Sequence, residues 1–129
     1  MPILFTVPGM PISVNHLYVN LGPGRRFPSA EGKSFKHAVS WLATIAMKQA
    51  GYGMIISGVG VWLKFYFKTM GSDIDNCIKA ILDAMTGIAY KNDTQILKLY
   101  AEKFKDPANP RTEVTIYEED QCPTLKMGP

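Results

Sequence analysis

The chain of 129 residues contains only two cysteines, and this scarcity excludes two classes of protein. Cys77 and Cys122 lie far apart, and neither belongs to a CxxC pair or to a cluster of cysteines and histidines. Disulfide-rich scaffolds and structural zinc sites need several such residues at defined spacings. We therefore expect neither of them, and the cysteine usage fits a protein of a reducing cytoplasm.

Long apolar runs are also missing. No segment reaches the ~18 apolar residues that a membrane-spanning helix requires. Residues 49–63 are uncharged, but four glycines interrupt them and Lys64 follows. Residues 1–24 lack Lys, Arg, Asp and Glu, but they are broken by proline, glycine and asparagine, and no basic segment precedes an apolar one. We expect neither a secretory signal nor a membrane partner.

Acidic residues are nearly absent from residues 1–70, which hold seven Lys and Arg but only Glu31. Residues 71–129 hold ten acidic and seven basic residues, so the net charge of +3 divides into +6 and −3. A basic half beside a group of carboxylates suits a polyanionic substrate held next to a metal ion. Scattered, solvated lysines would give the same totals, so the charge alone leaves both interpretations open.

Hydrophobic periodicity predicts an α+β domain. Alternation predicts strands at residues 3–7, 55–67, 96–104 and 111–117, and helical spacing predicts helices from Ser29 to Gly51 and from Asp73 to Gly87. We expect the last two strands to form a hairpin. The order is β-α-β-α-β-β, with two helices on one face of a small mixed sheet. Residues 1–120 are predicted to form a single domain, and residues 121–129 a flexible tail.

Two groups of side chains outside the acidic region are candidates for contact with nucleic acid. Residues 8–28 are predicted to form a long loop that carries Arg25 and Arg26 near Tyr18, and these residue types grip phosphates and stack on bases. A mobile loop with ordinary surface charges is an equal alternative. Trp62 and Tyr66 lie on the polar face of the predicted central strand, where they could stack on a base, pack beneath the first helix or form a subunit contact.

The most informative group of residues combines three carboxylates and one amine: Asp73, Asp75, Asp93 and Lys79. Mg²⁺ prefers hard oxygen ligands, and a divalent cation would relieve the repulsion between the acids. Such an ion would polarise a phosphate and activate water, while the lysine neutralises developing negative charge. In the ordinary alternative Asp73 caps a helix, Asp75–Lys79 is an exposed pair worth ~0.3–0.5 kcal/mol, and Asp93 is a turn residue.

These residues belong to a longer pattern that resembles the signature of the RusA-type Holliday-junction resolvases. The pattern is Asp73-x-Asp75-Asn76-x-x-Lys79-x-x-x-Asp83, then Gly87 and Asn92-Asp93-x-Gln95-Ile96. The opening segment is similar as well, through Pro11-x-x-x-Asn15-x-x-Tyr18 and Ser29-Ala-Glu-Gly-x-x-Phe35. The similarity runs over residues 3–118 in the same order. The chain departs from the family at Asn92, where a second acid is common, and in a shorter preceding loop.

The resemblance implies a small homodimeric, Mg²⁺-dependent crossover junction endodeoxyribonuclease of a bacterium or prophage, active in DNA recombination and repair. It implies metal-binding carboxylates at Asp73, Asp75 and Asp93 and an essential amine at Lys79, while Asp83 is interpreted as structural. Candidate DNA contacts are Asn15, Arg25, Arg26 and Lys36. Paired nicks on a two-fold symmetric junction require two equivalent sites, as in an isologous dimer. The alternatives are a non-catalytic or regulatory DNA-binding module and a nuclease for other branched DNA.

Overall fold

The computed structural model describes residues 2–118, so the predicted tail and Cys122 lie outside the described residues. None of the helices in this part of the chain is long and apolar enough to cross a membrane. In chain order the elements are β1 (Ile3–Pro8), β2 (Tyr18–Asn20), β3 (Arg26–Pro28), α1 (Ala30–Gln49), β4 (Val59–Phe67), α2 (Ile74–Met85), β5 (Ile96–Lys105) and β6 (Arg111–Glu118). The predicted α+β class is confirmed.

Four strands form one mixed sheet in the order β1-β6-β4-β5. β4 is parallel to β5 and antiparallel to β6, and β1 is antiparallel to β6. The predicted hairpin of β5 and β6 is therefore wrong, because β4 lies between them. The turn after β5 crosses the end of β4, where the backbone N–H of Asp106 donates to the carbonyl of Phe67 at 2.7 Å.

Both helices pack on the same face of this sheet. The alternate residues of β4 that face the helices are fully buried and meet one stripe from α1 and one from α2. The opposite face carries Trp62 and Tyr66, which contact Tyr117 and Phe104 at ring-centroid distances of 5.2 and 4.9 Å. Packing beneath the first helix is thus the wrong interpretation of Trp62 and Tyr66.

Residues 8–28 contain more regular structure than a long loop. A 3₁₀ helix (Val14–His16) precedes β2 and β3, which pair with each other as a two-stranded hairpin. Ser29 attaches this hairpin to α1, because its backbone N–H donates to Leu17 O at 2.8 Å and its hydroxyl to His16 O at 2.6 Å. Ser29 also caps α1 as predicted, since its hydroxyl accepts from Gly32 N–H at 2.8 Å.

Gly32 is where the backbones of α1 and the hairpin base come closest. A Cβ at this position would lie 2.2 Å from Leu17 O, a distance that real Cβ atoms do not adopt. A glycine is therefore required for the close approach. Together with Ser29, this contact holds the hairpin in a defined position against the first turn of α1.

Candidate functional site

Two aspartates, two residues apart in the sequence, lie at the amino end of α2. Asp73 occupies the position before the first helical residue in extended conformation, and its side chain makes no capping hydrogen bond. Asp75 is exposed in the first turn. The helix dipole favours negative charge there by about 0.3–1 kcal/mol. The carboxylate of Asp73 is thus not used as a helix cap, contrary to the ordinary alternative, and its oxygens are available to a ligand.

A lysine from β5 holds the turn that leads into these carboxylates. Lys103 Nζ donates to Met70 O at 3.0 Å and to Ser72 O at 2.8 Å, directly before Asp73. Sequence analysis missed Lys103. Lys103 lies on the same face of β5 as Ala101, which packs against the core. A lysine on the inner face of a strand is uncommon, and this feature could have indicated Lys103 from the sequence. Its partner turn, however, follows only from the parallel pairing of β5 with β4.

The pKa of the Cys77 thiol depends on the charges around this end of α2. Burial raises the pKa of Cys77 to about 11; the positive charge of Lys103 lowers it, and the negative charges of Asp75 and Asp73 raise it. The ammonium group and both carboxylates therefore act on the same buried atom. Lys103 supplies positive charge beside the acidic pair as well as two hydrogen bonds to the turn.

Lys79 lies one turn beyond Asp75, but its ion pair is with Asp83. Lys79 Nζ is 3.8 Å from Asp83 Oδ2, and the two side chains are 64% and 36% exposed. The exposed Asp75–Lys79 pair of the ordinary alternative is therefore replaced by a pair one turn later. An exposed pair of this kind is worth about 0–1 kcal/mol, so the amine of Lys79 is easily released to another anion.

Asp93 lies near the other end of α2. It begins a 3₁₀ turn (Asp93–Gln95) just before β5, and Asn92 caps this turn. Gln95 fixes the turn in place, since its side-chain amide donates to Ile55 O and Ser57 O at 2.8 Å each. Burial raises the pKa of Tyr90, and the nearby charges of Asp93 and Asp83 raise it further. Asp93 thus belongs to the surroundings of Tyr90, whereas the acidic pair belongs to those of Cys77.

The structure places Asp73 and Asp75 at the same end of α2, and Asp93 near the other end. The 12 residues of α2 separate them, and at 1.5 Å per residue such a helix is about 18 Å long. Among residues 2–118, no group of three His, Cys, Asp or Glu side chains lies close enough to hold a metal ion. One copy of the chain therefore presents a pair of carboxylates, and the three-carboxylate site stays a prediction.

The candidate DNA contacts lie around the β2–β3 hairpin. Asn15, Tyr18 and Arg26 line a cavity of about 310 Å³, and the Arg26 guanidinium lies 4.3 Å from the centre of the Tyr18 ring. Lys36 lines a second cavity, of about 370 Å³, that shares Tyr18 with the first. The backbone of Arg25 closes the hairpin through hydrogen bonds with Leu21 and Gly22, and its side chain is exposed.

An exposed carboxylate pair at a helix terminus, with Lys79 and Lys103 nearby and with Lys33, Lys36 and Arg26 lining the cavities around the hairpin, defines a candidate phosphate-processing enzyme. The family model for endodeoxyribonuclease RusA matches residues 8–117, which include every site residue described above. The chain belongs to this family of endodeoxyribonucleases, which act on branched DNA as Holliday-junction resolvases. A comparison with curated proteins gave no significant match.

Proposed function

We propose that this protein is a Mg²⁺-dependent homodimeric endonuclease that resolves four-way DNA junctions by paired symmetric nicks. Membership of the resolvase family supports the substrate. The observation that carries the proposal is the carboxylate pair Asp73 and Asp75 at the amino end of α2, where Asp73 is not engaged in capping. The surplus of basic residues before Gly71 supports a polyanionic partner.

The acidic pair fits the ion that the proposal requires. Mg²⁺ usually takes one or two protein carboxylates and keeps its other positions for water and phosphate oxygens. Asp73 and Asp75 would hold it, and when bound it would supply a Lewis acid for the phosphate and an activated water. The tether from Lys103 keeps the turn before Asp73 in one conformation. Such preorganisation of charged groups is what electrostatic catalysis depends on.

Lys79 supplies the positive charge on the substrate side. Its weak, exposed pair with Asp83 leaves the amine available, and a phosphodiester gains negative charge at its non-bridging oxygens during hydrolysis. We propose that Lys79 neutralises this charge from one turn beyond Asp75. Asp83 holds the amine in place when no substrate is bound.

The third predicted ligand requires a second copy of the chain. Because α2 separates Asp93 from the acidic pair, a chain does not supply its own Asp93 to Asp73 and Asp75. We propose that each site combines the acidic pair of one subunit with the Asp93 of the other. Such a dimer would carry two equivalent sites related by a two-fold axis, which matches the symmetry of a four-way junction.

Cleavage of a synthetic four-way junction with Mg²⁺ or with EDTA tests this function. We expect paired nicks with Mg²⁺ only. Asp75→Asn and Lys79→Ala should lower the cleavage rate by on the order of 10²–10³-fold while junction binding in EDTA persists. Lys98→Ala is a matched control, because Lys98 is an exposed lysine on β5 away from the acidic pair.

Each other outcome has a definite meaning. Equal rates for Asp75→Asn and the parent would exclude the proposed site. Binding of the junction without product under either condition would identify a DNA-binding module of the same fold. Faster cutting of flaps or replication forks than of four-way junctions would identify a nuclease for other branched DNA.

A further inference from the structure

A cavity of about 370 Å³ lies between α1, α2 and the β2–β3 hairpin, beyond the acidic pair. Its volume falls in the range of about 300–1,000 Å³ that is typical of small-ligand pockets. The proposed chemistry uses the amino end of α2, whereas this cavity adjoins the later turns of the helix through Ala80, Asp83 and Ala84. The cavity is therefore a separate feature that the proposed reaction does not explain.

The walls of the cavity differ in chemical character. On the α1 side lie Lys33, Lys36 and His37, three basic side chains within about one turn of helix. On the opposite side Ala80, Ala84 and Ile88 form an apolar surface, and Asp83, the ion-pair partner of Lys79, adjoins it. A ligand that matches both walls has an anionic group next to a flat apolar body.

Tyr18 stands at the edge of the cavity. Its ring borders both this cavity and the neighbouring one, but Arg26 lines only the neighbouring one. The side chain is 38% exposed, and the Arg26 guanidinium lies 4.3 Å from the centre of its ring. An exposed aromatic ring beside lysines is the arrangement with which proteins stack single-stranded bases while binding their phosphates.

We propose that this cavity binds one unstacked nucleotide of branched DNA, with the base between Tyr18 and the apolar wall of α2 and the phosphate beside Lys33 and Lys36. The inference rests on the proposed action on DNA junctions. A duplex keeps its bases stacked and cannot insert one without an unstacking cost of a few kcal/mol, whereas an unpaired base pays least. The cavity would thus favour a branch point over continuous duplex.

The cavity is held open before any ligand arrives. Ser29 joins the hairpin base to α1 through two hydrogen bonds, and Gly32 allows their backbones to touch. Preorganisation of this kind lowers the entropic cost of binding. The Lys79–Asp83 pair links the cavity to the proposed site, since Asp83 lines the cavity. Asp75 and Asp83 are eight residues apart, which is about 12 Å along a helix.

The experiment measures binding in EDTA, so that cleavage does not interfere. The probes are a fluorescent single-stranded hexathymidylate and a four-way junction with an abasic nucleotide at each branch-point position in turn. We expect Tyr18→Ala to weaken hexathymidylate binding by about tenfold and Tyr18→Phe to preserve it, because stacking needs the ring and not the hydroxyl.

The double variant Lys33→Glu and Lys36→Glu should bind hexathymidylate more weakly, and its affinity should depend less on salt concentration. Lys48→Glu, at the end of α1 and outside the cavity, is the control.

The decisive result is the coupling between Tyr18 and one base. At one position the abasic nucleotide should weaken binding of the parent by about as much as Tyr18→Ala does, and the two changes together should add nothing further. Additive effects at every position, or Tyr18→Ala binding hexathymidylate within twofold of the parent, would overturn the inference. If the parent still cuts junctions in that case, the proposed function stands and only the cavity assignment fails. If Tyr18 and one base are coupled but the parent cuts no junction, the cavity assignment stands and the proposed nuclease function fails.

Discussion

At the scale of single residues, Lys103 decides the shape of the turn before the acidic pair. Two hydrogen bonds from one ammonium group, to the carbonyls of Met70 and Ser72, restrict that turn. The carboxylate pair is therefore supported from the neighbouring strand as well as from its own helix. Because the hydrogen bonds of Lys103 go to backbone oxygens of the turn, we infer that it positions Asp73 in addition to supplying positive charge beside the acidic pair.

Replacement of Lys103 by Met removes both hydrogen bonds while keeping a flexible, unbranched side chain of nearly the same length. We expect a loss of about 1–2 kcal/mol in the free energy of unfolding and a fall of on the order of 10–100-fold in the rate of junction cleavage. Thermal unfolding and single-turnover cleavage measure the two effects. Lys103→Arg should recover much of the rate, because it keeps the charge and the donors. A Lys98→Met variant with the same loss of rate would show that the effect is not local.

Arg111 connects the turn after β5 to β6, and its contact with Asp106 makes the free energy of unfolding depend on pH. Its guanidinium donates to Asp106 at 2.8 Å and to Glu113 at 3.0 Å, and it lies 3.7 Å from the centre of the Tyr66 ring. The hydrogen bond from Arg111 lowers the pKa of Asp106 below its usual value. The folded protein therefore binds a proton at Asp106 less readily than the unfolded chain does.

The sign of the pH effect follows from this lowered pKa. The contribution of Asp106 to stability is fully present above the usual aspartate pKa of about 3.9 and is lost as the pH falls below it. We expect the melting temperature of Asp106→Asn to fall less between pH 5 and pH 2 than that of the parent, and Arg111→Met to show a similar flattening. If the melting temperatures of the parent and Asp106→Asn fall equally with pH, the proposed contribution of Asp106 is wrong. Melting curves across this range, followed by circular dichroism, provide the measurement.

At the scale of elements, α2 and the β2–β3 hairpin bring the chemistry to defined places. The stripe predicted on α2 is confirmed, with Ile81 and Met85 fully buried and Ile74, Ile78 and Leu82 packed against the core. This burial leaves the acidic pair and Lys79 on exposed positions. The hairpin, in contrast, is held by its contact with the first turn of α1 and contributes little to the main core.

Gly32→Ala tests the contact between the hairpin and α1. The added Cβ would meet Leu17 O, so the hairpin base has to move away, and we expect a loss of about 1–3 kcal/mol in stability. Gly53→Ala adds the same methyl group where nothing lies within 4 Å, and it should leave stability nearly unchanged. Chemical denaturation of both variants gives the comparison. Equal stability of Gly32→Ala and the parent would mean that the contact is not made in solution.

At the scale of the whole molecule, the distance between Asp93 and the acidic pair is the reason why we propose a site shared by two subunits. β4, α2 and β5 form a strand–helix–strand unit whose two strands are parallel, so the residue after β4 and the residue before β5 lie at opposite ends of the unit. No change of side-chain rotamer spans that distance. In our proposal, a site shared between two copies of the chain would complete the predicted set of ligands.

Mixed dimers distinguish shared from separate sites. Asp75→Asn and Asp93→Asn should each be inactive alone. If each site takes Asp93 from the partner subunit, co-refolding the two variants leaves one intact site in every mixed dimer, and we expect nicked junctions to appear. Asp73→Asn mixed with Asp75→Asn is the matched control, because both of its sites remain damaged. Without any nicking by the first mixture, the shared site would be excluded. Denaturing gels of labelled junction strands report both results.

The sequence by itself determined the elements and the chemical candidates, because both depend on local features. Period-two and helical spacing located both helices and the four strands of the main sheet but not β2 and β3, Ser29 and Gly51 bounded α1 as predicted, and the family pattern was readable from residue spacing alone. Only the tertiary structure decided that β6 lies between β1 and β4, that Lys103 supports the turn before Asp73, and that Asp93 lies apart from the acidic pair. These results depend on which distant strands pair and which faces they bury, and residue spacing along the chain does not record such long-range choices.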